Sequence, residues 1–257
     1  MSVLYEQRDN IAIVTLDRPE KHNALTEGML DQLREAWERA RDDDSVRAVV
    51  LASSSDKAFC AGADIVELLG REAPLSAVWN PDRDLRPDRG LDLWKPVVSA
   101  VEGICFGGGL TLLLATDLRV AGQSARFAAP EVKWGVIASC GGTQRIMREL
   151  PPAIAMEMLL IGDPIQAEQA YKWGLLNRVV PDGQALAMAL EIAKRVVANA
   201  PLAVQATKEL ASRSFDVPGA VGLRYEDMVV RILQNSEDFA EGMAAFADRR
   251  AGEFEGR

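Results

Sequence analysis

The chain has 257 residues, of which 48% are hydrophobic and 26% charged, and a formal net charge of −9. This is the composition of a globular protein with a substantial core, which sets aside disordered and fibrous classes. The acidic balance argues against nucleic acid or an anionic membrane as partner, because both select for excess Lys and Arg.

From the N-terminus, Met1 to Asp9 is too polar for a signal peptide, and no apolar run reaches the ~18 residues of a membrane span, so a cytoplasmic location is expected. Ile11 to Leu16 is a short β-branched strand that ends at the breaker Asp17-Arg18-Pro19. Thr26 reads as an N-cap, and Leu30, Leu33, Trp37 and Ala40 follow at helical spacing. Val46 to Ala52 and Val97 to Val101 are apolar enough for strands buried on both faces. Strand, helix and strand at this spacing predict an α/β fold with a parallel sheet. Between Arg71 and Gly90, three prolines and several charges predict a long loop over the sheet. From residue 183 the pattern is almost wholly helical, with Leu186, Ala189, Leu190, Ala193 and Val196, then Met228, Val229, Ile232 and Leu233, as apolar stripes. The predicted division is therefore a core over 1–182 and a helical subdomain over 183–257 that covers the site or makes subunit contacts.

Two stretches of small residues, Ala61-Gly62-Ala63-Asp64 and Gly107-Gly108-Gly109, each follow an apolar run and open a helix. Such segments leave main-chain N–H groups uncovered, and a helix start adds unpaired donors and the positive end of its dipole. An isolated glycine run is as often a tight turn that lets a helix approach a sheet, so the pair counts for more than either alone. Other chemistries fail. His22 is the single histidine, which leaves no Ser-His-Asp triad or multi-histidine metal site. Leu112 stands where a dinucleotide fingerprint needs its third glycine. Cys60, Cys105 and Cys140 lack CxxC spacing and read as small buried core residues. No metal is expected.

Arg18-Pro-Glu-Lys-His-Asn-Ala-Leu25, Ala58-Phe-Cys-Ala-Gly-Ala-Asp-Ile65, Gly107 to Gly109, Phe127-Ala-Ala-Pro-Glu131 and Gly141-Gly-Thr-Gln-Arg145 occur in the order and spacing of the crotonase (enoyl-CoA hydratase/isomerase) superfamily. The resemblance covers nearly the whole chain. It implies a spiral of strand-strand-helix units with a helical C-terminal subdomain, assembled as a homotrimer or a dimer of trimers. It also implies a coenzyme A thioester as substrate, with no separate cofactor. By resemblance, the N–H groups of Ala63 and Gly108 grip the thioester oxygen while Glu131 moves a proton. Two preorganised donors act where enolate charge develops, each worth ~3–4 kcal/mol by the cost of deleting one. Lys21, Ala24 and Leu25, with Ala61, Gly62, Asp64 and Ile65, resemble the segments that line coenzyme A. Lys21 is equally a solvated loop charge, and Asp64 reads as an N-cap in preference to any catalytic role. Arg249 and Arg250 are either basic contacts, from a neighbouring subunit as in the family, or a solvated helix face.

The chain departs from the family in two places. Hydratases carry a second glutamate where Thr111 stands here, and a hydroxyl holds water or substrate without titrating near neutral pH. The family commonly has Pro and Gly where Ala138 and Ser139 stand, so the loop that positions water differs. One carboxylate suffices to move a double bond, so single-base, isomerase-like chemistry is favoured. The alternatives are a true hydratase that draws a second acid from Glu67, Glu72, Asp82, Asp84, Asp88 or Asp92, and a non-catalytic acyl-CoA-binding homologue. Trp79 and Trp94 are candidate acyl-pocket walls or simple packing.

Overall fold

The computed structural model describes residues 2–69 and 93–257. The chain opens with β1 (Val3–Arg8) and β2 (Ile11–Leu16), then α1 (Glu27–Asp42), β3 (Ala48–Ser53), β4 (Ala58–Cys60) and a one-turn π-helical segment at Ile65–Leu69. There follow β5 (Val97–Val101), β6 (Ile104–Phe106), α2 (Gly108–Leu114), β7 (Leu118–Gly122), β8 (Arg126–Ala128) and a short 3-10 turn at Pro130–Trp134. The rest is α3 (Gly142–Glu149), α4 (Pro152–Ile161), β9 (Ile165–Gln166), α5 (Ala167–Lys172), β10 (Arg178–Val180), α6 (Ala185–Val197), α7 (Pro201–Arg213), α8 (Gly219–Leu233) and α9 (Glu237–Asp248). No described helix is long and apolar enough to cross a membrane.

Two sheets result. A six-stranded sheet runs β1-β2-β3-β5-β7-β10 and a four-stranded one runs β4-β6-β8-β9. The chain places one strand in the first sheet, the next in the second, then a helix or helical turn. β3 leads to β4, β5 to β6 and α2, and β7 to β8 and its 3-10 turn, which is the strand-strand-helix spiral. Pairing is parallel except at β1 with β2 and β8 with β9. The antiparallel hairpin at the start and the whole second sheet go beyond the single parallel sheet expected from spacing.

Side chains alternate faces along a strand, and here both faces are covered. On β3, Val49 and Leu51 join the large core that also holds Leu30, Leu33, Trp37, Leu110 and Phe127. Ala48, Val50 and Ala52 face the opposite core with Ala185, Ala189 and Ala193 of α6. The helical segment that begins at 183 thus enters through α6 into the sheet's own packing, and the small alanine stripe lets α6 lie close on the strands. Thr26 caps α1, accepting from Met29 N at 3.1 Å.

Candidate active site

The site forms where the loop before α1, the segment after β4 and the start of α2 meet. Asn23 holds the loop. It is fully buried, its Nδ2 donates to Ala58 O (3.0 Å) and Phe59 O (3.1 Å), and its Oδ1 accepts from Arg18 N (2.7 Å). Main-chain bonds then fasten the loop to the β4 exit: Ala61 N to His22 O (3.0 Å), Leu25 N to Gly62 O (2.7 Å) and Asp64 N to Leu25 O (2.8 Å). The last two form a parallel bridge between Leu25 and Ala63. In such a bridge the partner's bonds go to the residues before and after, so the N–H of Ala63 itself turns away from Leu25.

Gly108 begins α2, so its N–H has no carbonyl a turn earlier within the helix. A Cβ on Gly108 would stand 3.3 Å from Ala63 N, and one on Gly62 would stand 3.4 Å from Gly108 N. The two bare segments therefore lie side by side, and side chains on either would crowd the other. Gly107 has φ +53 and ψ −121, a conformation open to glycine, and a Cβ there would lie 3.4 Å from Glu131 Oε1. Glu131 thus sits over Gly107, the residue that precedes Gly108.

Glu131 projects from the Pro130–Trp134 turn, which Gly135 closes in the left-handed region by donating to Glu131 O and Val132 O. Gly162 at the end of α4 supports the turn from behind, close enough that a Cβ would meet Pro130 Cα at 2.9 Å. Among the described residues, Glu131 Oε2 is a buried carboxylate oxygen without a hydrogen-bond partner. Burial raises its pKa, and a bond from its own main chain opposes the rise. Protein partners therefore leave this carboxylate oxygen unsatisfied, with its pKa raised by burial.

The other predicted residues fall around this centre. Thr111 is 3% exposed, and its Oγ1 abuts Gly142 at the start of α3, where a Cβ would lie 3.0 Å away. Ser139 exposes its side chain and accepts from Gly142 N through its carbonyl. Lys21 is exposed and ends the 3-10 turn of the loop; Ala24 is half-buried, Leu25 is buried, and Ile65 is exposed beside Ala63. Asp64 combines two roles: its Oδ2 accepts from Arg18 Nη1 at 2.9 Å, and its Oδ1 accepts from Glu67 N at 3.4 Å, which caps the Ile65–Leu69 turn. Glu67, one candidate second acid, instead accepts from Glu27 N at the start of α1. Glu72, Asp82, Asp84, Asp88, Asp92 and Trp79 lie outside the described residues. Trp94 is packed under the Arg213 guanidinium, 5.0 Å from its ring centre. Arg250 is held by Glu241 through two bonds of 2.5 and 2.8 Å, and Arg249 closes α9 in the left-handed region.

Cys60 and Cys105 are fully buried, and burial pushes the Cys60 thiol up to about 12 and that of Cys105 well above its ordinary range, so neither is a nucleophile at neutral pH. Cys140 departs from the core assignment: it is half-buried, with φ +55, in the turn before α3. Among the described residues, no group of three or more His, Cys, Asp and Glu could hold a metal ion.

Bare backbone at Gly62 and Gly107–Gly108 lies beside the unpartnered Glu131 oxygen, and comparison with known proteins gives the family. The model for enoyl-CoA hydratase/isomerase matches residues 6–257. The chain is 38% identical over 257 residues to (E)-benzylidenesuccinyl-CoA hydratase from Thauera aromatica, covering 100% of both chains. It is 39% identical over 248 residues to carnitinyl-CoA dehydratase from Salmonella typhi, covering 95% of this chain and 94% of that one. Among solved structures, an enoyl-CoA hydratase from Bacillus anthracis superposes with a TM-score of 0.93 at 30% identity, over 100% of both chains. The chain belongs to the enoyl-CoA hydratase/isomerase family of the crotonase superfamily and is an acyl-CoA enzyme.

Sequence reasoning missed Asn23 and Arg18 as the fasteners of the site. Asn23 stands at φ +54, and the signal in the sequence is the residue type itself inside the Arg18–Leu25 loop, because Asn tolerates the left-handed region and can bond the main chain. The ion pair of Arg18 with Asp64 spans 46 positions and leaves no local pattern.

Proposed function

We propose that the chain transfers a proton along the acyl group of an acyl-CoA thioester through an enolate, with Glu131 as its single acid–base. The thioester oxygen accepts from the N–H groups of Ala63 and Gly108, and Glu131 takes a proton from one carbon and returns it at another, moving the double bond. The observation that carries this is the buried, unpartnered Oε2 of Glu131 beside the bare Gly107 backbone. Lys21, Ala24 and Leu25 with Ala61, Gly62, Asp64 and Ile65 form the coenzyme A side, where Lys21 meets phosphate. Coenzyme A enters as part of the substrate. Thr111 and Ser139 orient the acyl group or a water with their hydroxyls. The active form is a homotrimer or a dimer of trimers.

A second reading, hydration, is favoured by the activities for which the relatives are named, a hydratase and a dehydratase. It requires a second group to hold water opposite Glu131. The two separate in deuterium oxide with a panel of enoyl-CoA thioesters that includes benzylidenesuccinyl-CoA, with carnitinyl-CoA added as a hydroxyacyl thioester whose loss of water reports the reverse of hydration. Products of unchanged oxygen content with a shifted double bond are expected, carrying deuterium only to the extent that the Glu131 carboxyl exchanges with solvent before it returns the proton. A hydrated product without double-bond shift would replace the first reading by the second.

A further inference from the structure

α2 carries Gly108 at its head, and its other end is held by buried polar side chains. Gly107 O, on the same peptide unit as Gly108 N, accepts from Thr111 N at 3.0 Å. The helical ladder joins the carbonyl of that next unit, Leu110 O, to Leu114 N, whose own unit carries Leu113 O. A single file of peptide units thus runs from the Gly108 N–H to Leu113 O.

Leu113 O accepts from Thr116 N (3.0 Å), Thr116 Oγ1 (2.6 Å) and Arg119 Nε (3.1 Å). Ser99 Oγ on β5 shares its proton with Thr116 Oγ1 at 2.9 Å. The Arg119 guanidinium also donates to Leu114 O (3.3 Å), Thr116 O (2.8 Å) and Leu175 O (3.5 Å), and grips both oxygens of Glu149 at the end of α3. Arg119 is 6% exposed. Its pair with Glu149, whose side chain is 28% exposed, is only partly buried, and its bonds to main-chain carbonyls fix the foot of α2.

We propose that Arg119, with Thr116, is a positioning residue for the Gly108 amide: it anchors the foot of the file and polarises it toward its head. This rests on the oxyanion role given to Gly108 above. Six residues at 1.5 Å each put the clamp about 9 Å from Gly108, so it touches no reacting atom. Donors at the foot strengthen each successive bond in the same direction, by about 10–30% per bond. Losing an oxyanion donor outright lowers kcat by about a hundred- to a thousandfold, so weakening one by that fraction corresponds to roughly a two- to tenfold loss.

The test uses Thr116→Val, which removes one hydroxyl at near-constant volume, together with Arg119→Lys and the double variant Arg119→Met/Glu149→Met, which removes the pair without leaving a lone charge. The probe is cinnamoyl-CoA, a conjugated thioester whose absorption moves to longer wavelength when its carbonyl is polarised. Kinetics are measured on an accepted enoyl-CoA well below each variant's Tm. The expected result is a smaller absorption shift and a two- to tenfold lower kcat, with KM within about twofold. Folded variants that lower Tm yet keep the full shift and kcat would overturn the proposal, leaving Arg119 a structural residue. If the wild-type protein binds the probe and shows no shift, the oxyanion reading itself falls and takes this proposal with it.

Discussion

At the scale of single residues, Glu131 couples stability to chemistry. Burial raises its pKa in the folded chain above that of the unfolded chain, so its protonated form is the one folding favours. Its contribution to stability is fully present below the ordinary carboxylate pKa near 4.5 and is lost as pH rises through the raised folded value. The ionised carboxylate therefore weighs against folding, and the ionised form is the one the proposed base requires. Glu131→Gln is expected to lower kcat at least a hundredfold and to raise Tm at pH 7, with no gain at pH 4. The wild-type rate is expected to climb with pH along a limb displaced above the usual carboxylate range. A Gln variant that keeps full turnover would exclude Glu131 as the base. Glu131 was legible from its place in Phe127-Ala-Ala-Pro-Glu131, in register with the glycine segments. Its unpartnered oxygen was not, because that depends on what α4 and Gly107 bring next to it. Arg119 was invisible for the same reason: its partners Leu113, Glu149 and Leu175 converge only through the fold.

At the scale of elements, the approach of α2 to β4 decides where the Gly108 amide lies. A Cβ on Gly109 would fall 2.4 Å from Cys60 O and 2.7 Å from Cys60 Cβ, inside any permitted contact. Gly109→Ala must push α2 off β4, and overpacking of this kind costs roughly 1–3 kcal/mol. Urea unfolding should show a lower midpoint at unchanged slope, and kcat should fall with it because the whole helix moves relative to Ala63. Normal activity with normal stability would show that α2 has slack at this contact. The longer elements were readable because periodicity needs length: α1 shows its stripe and Thr26 cap, and β2, β3 and β5 show continuous apolar runs. β4, β6 and β8 have three residues each, too few for a period, and their pairing was hidden. β1 alternates Val3, Tyr5 and Gln7 inward against Leu4, Glu6 and Arg8 outward, so only half its face reads as strand.

At the scale of the molecule, the C-terminal helices lack a core of their own among the described residues. α6 is packed on the sheet, but α7 and α8 bury no residue, and α9 buries Asp238 and Ala245. Leu223, Met228, Val230, Ile232, Phe239, Met243 and Phe246 stand exposed along α8 and α9. Helices of 12 to 15 residues are marginal in water unless an apolar face is covered, and the proposed assembly would cover these with a second copy of the chain. Light scattering on the purified protein should give three or six times the 28.0 kDa chain mass. Ile232→Glu with Phe246→Glu should shift the population to smaller species, and amide exchange across 201–248 should accelerate while that of β3 and β5 stays slow, since those strands sit in cores the substitutions do not touch. A wild-type protein that runs as a 28.0 kDa monomer at micromolar concentration, with α8 and α9 protected, would show that these helices are stable without a partner.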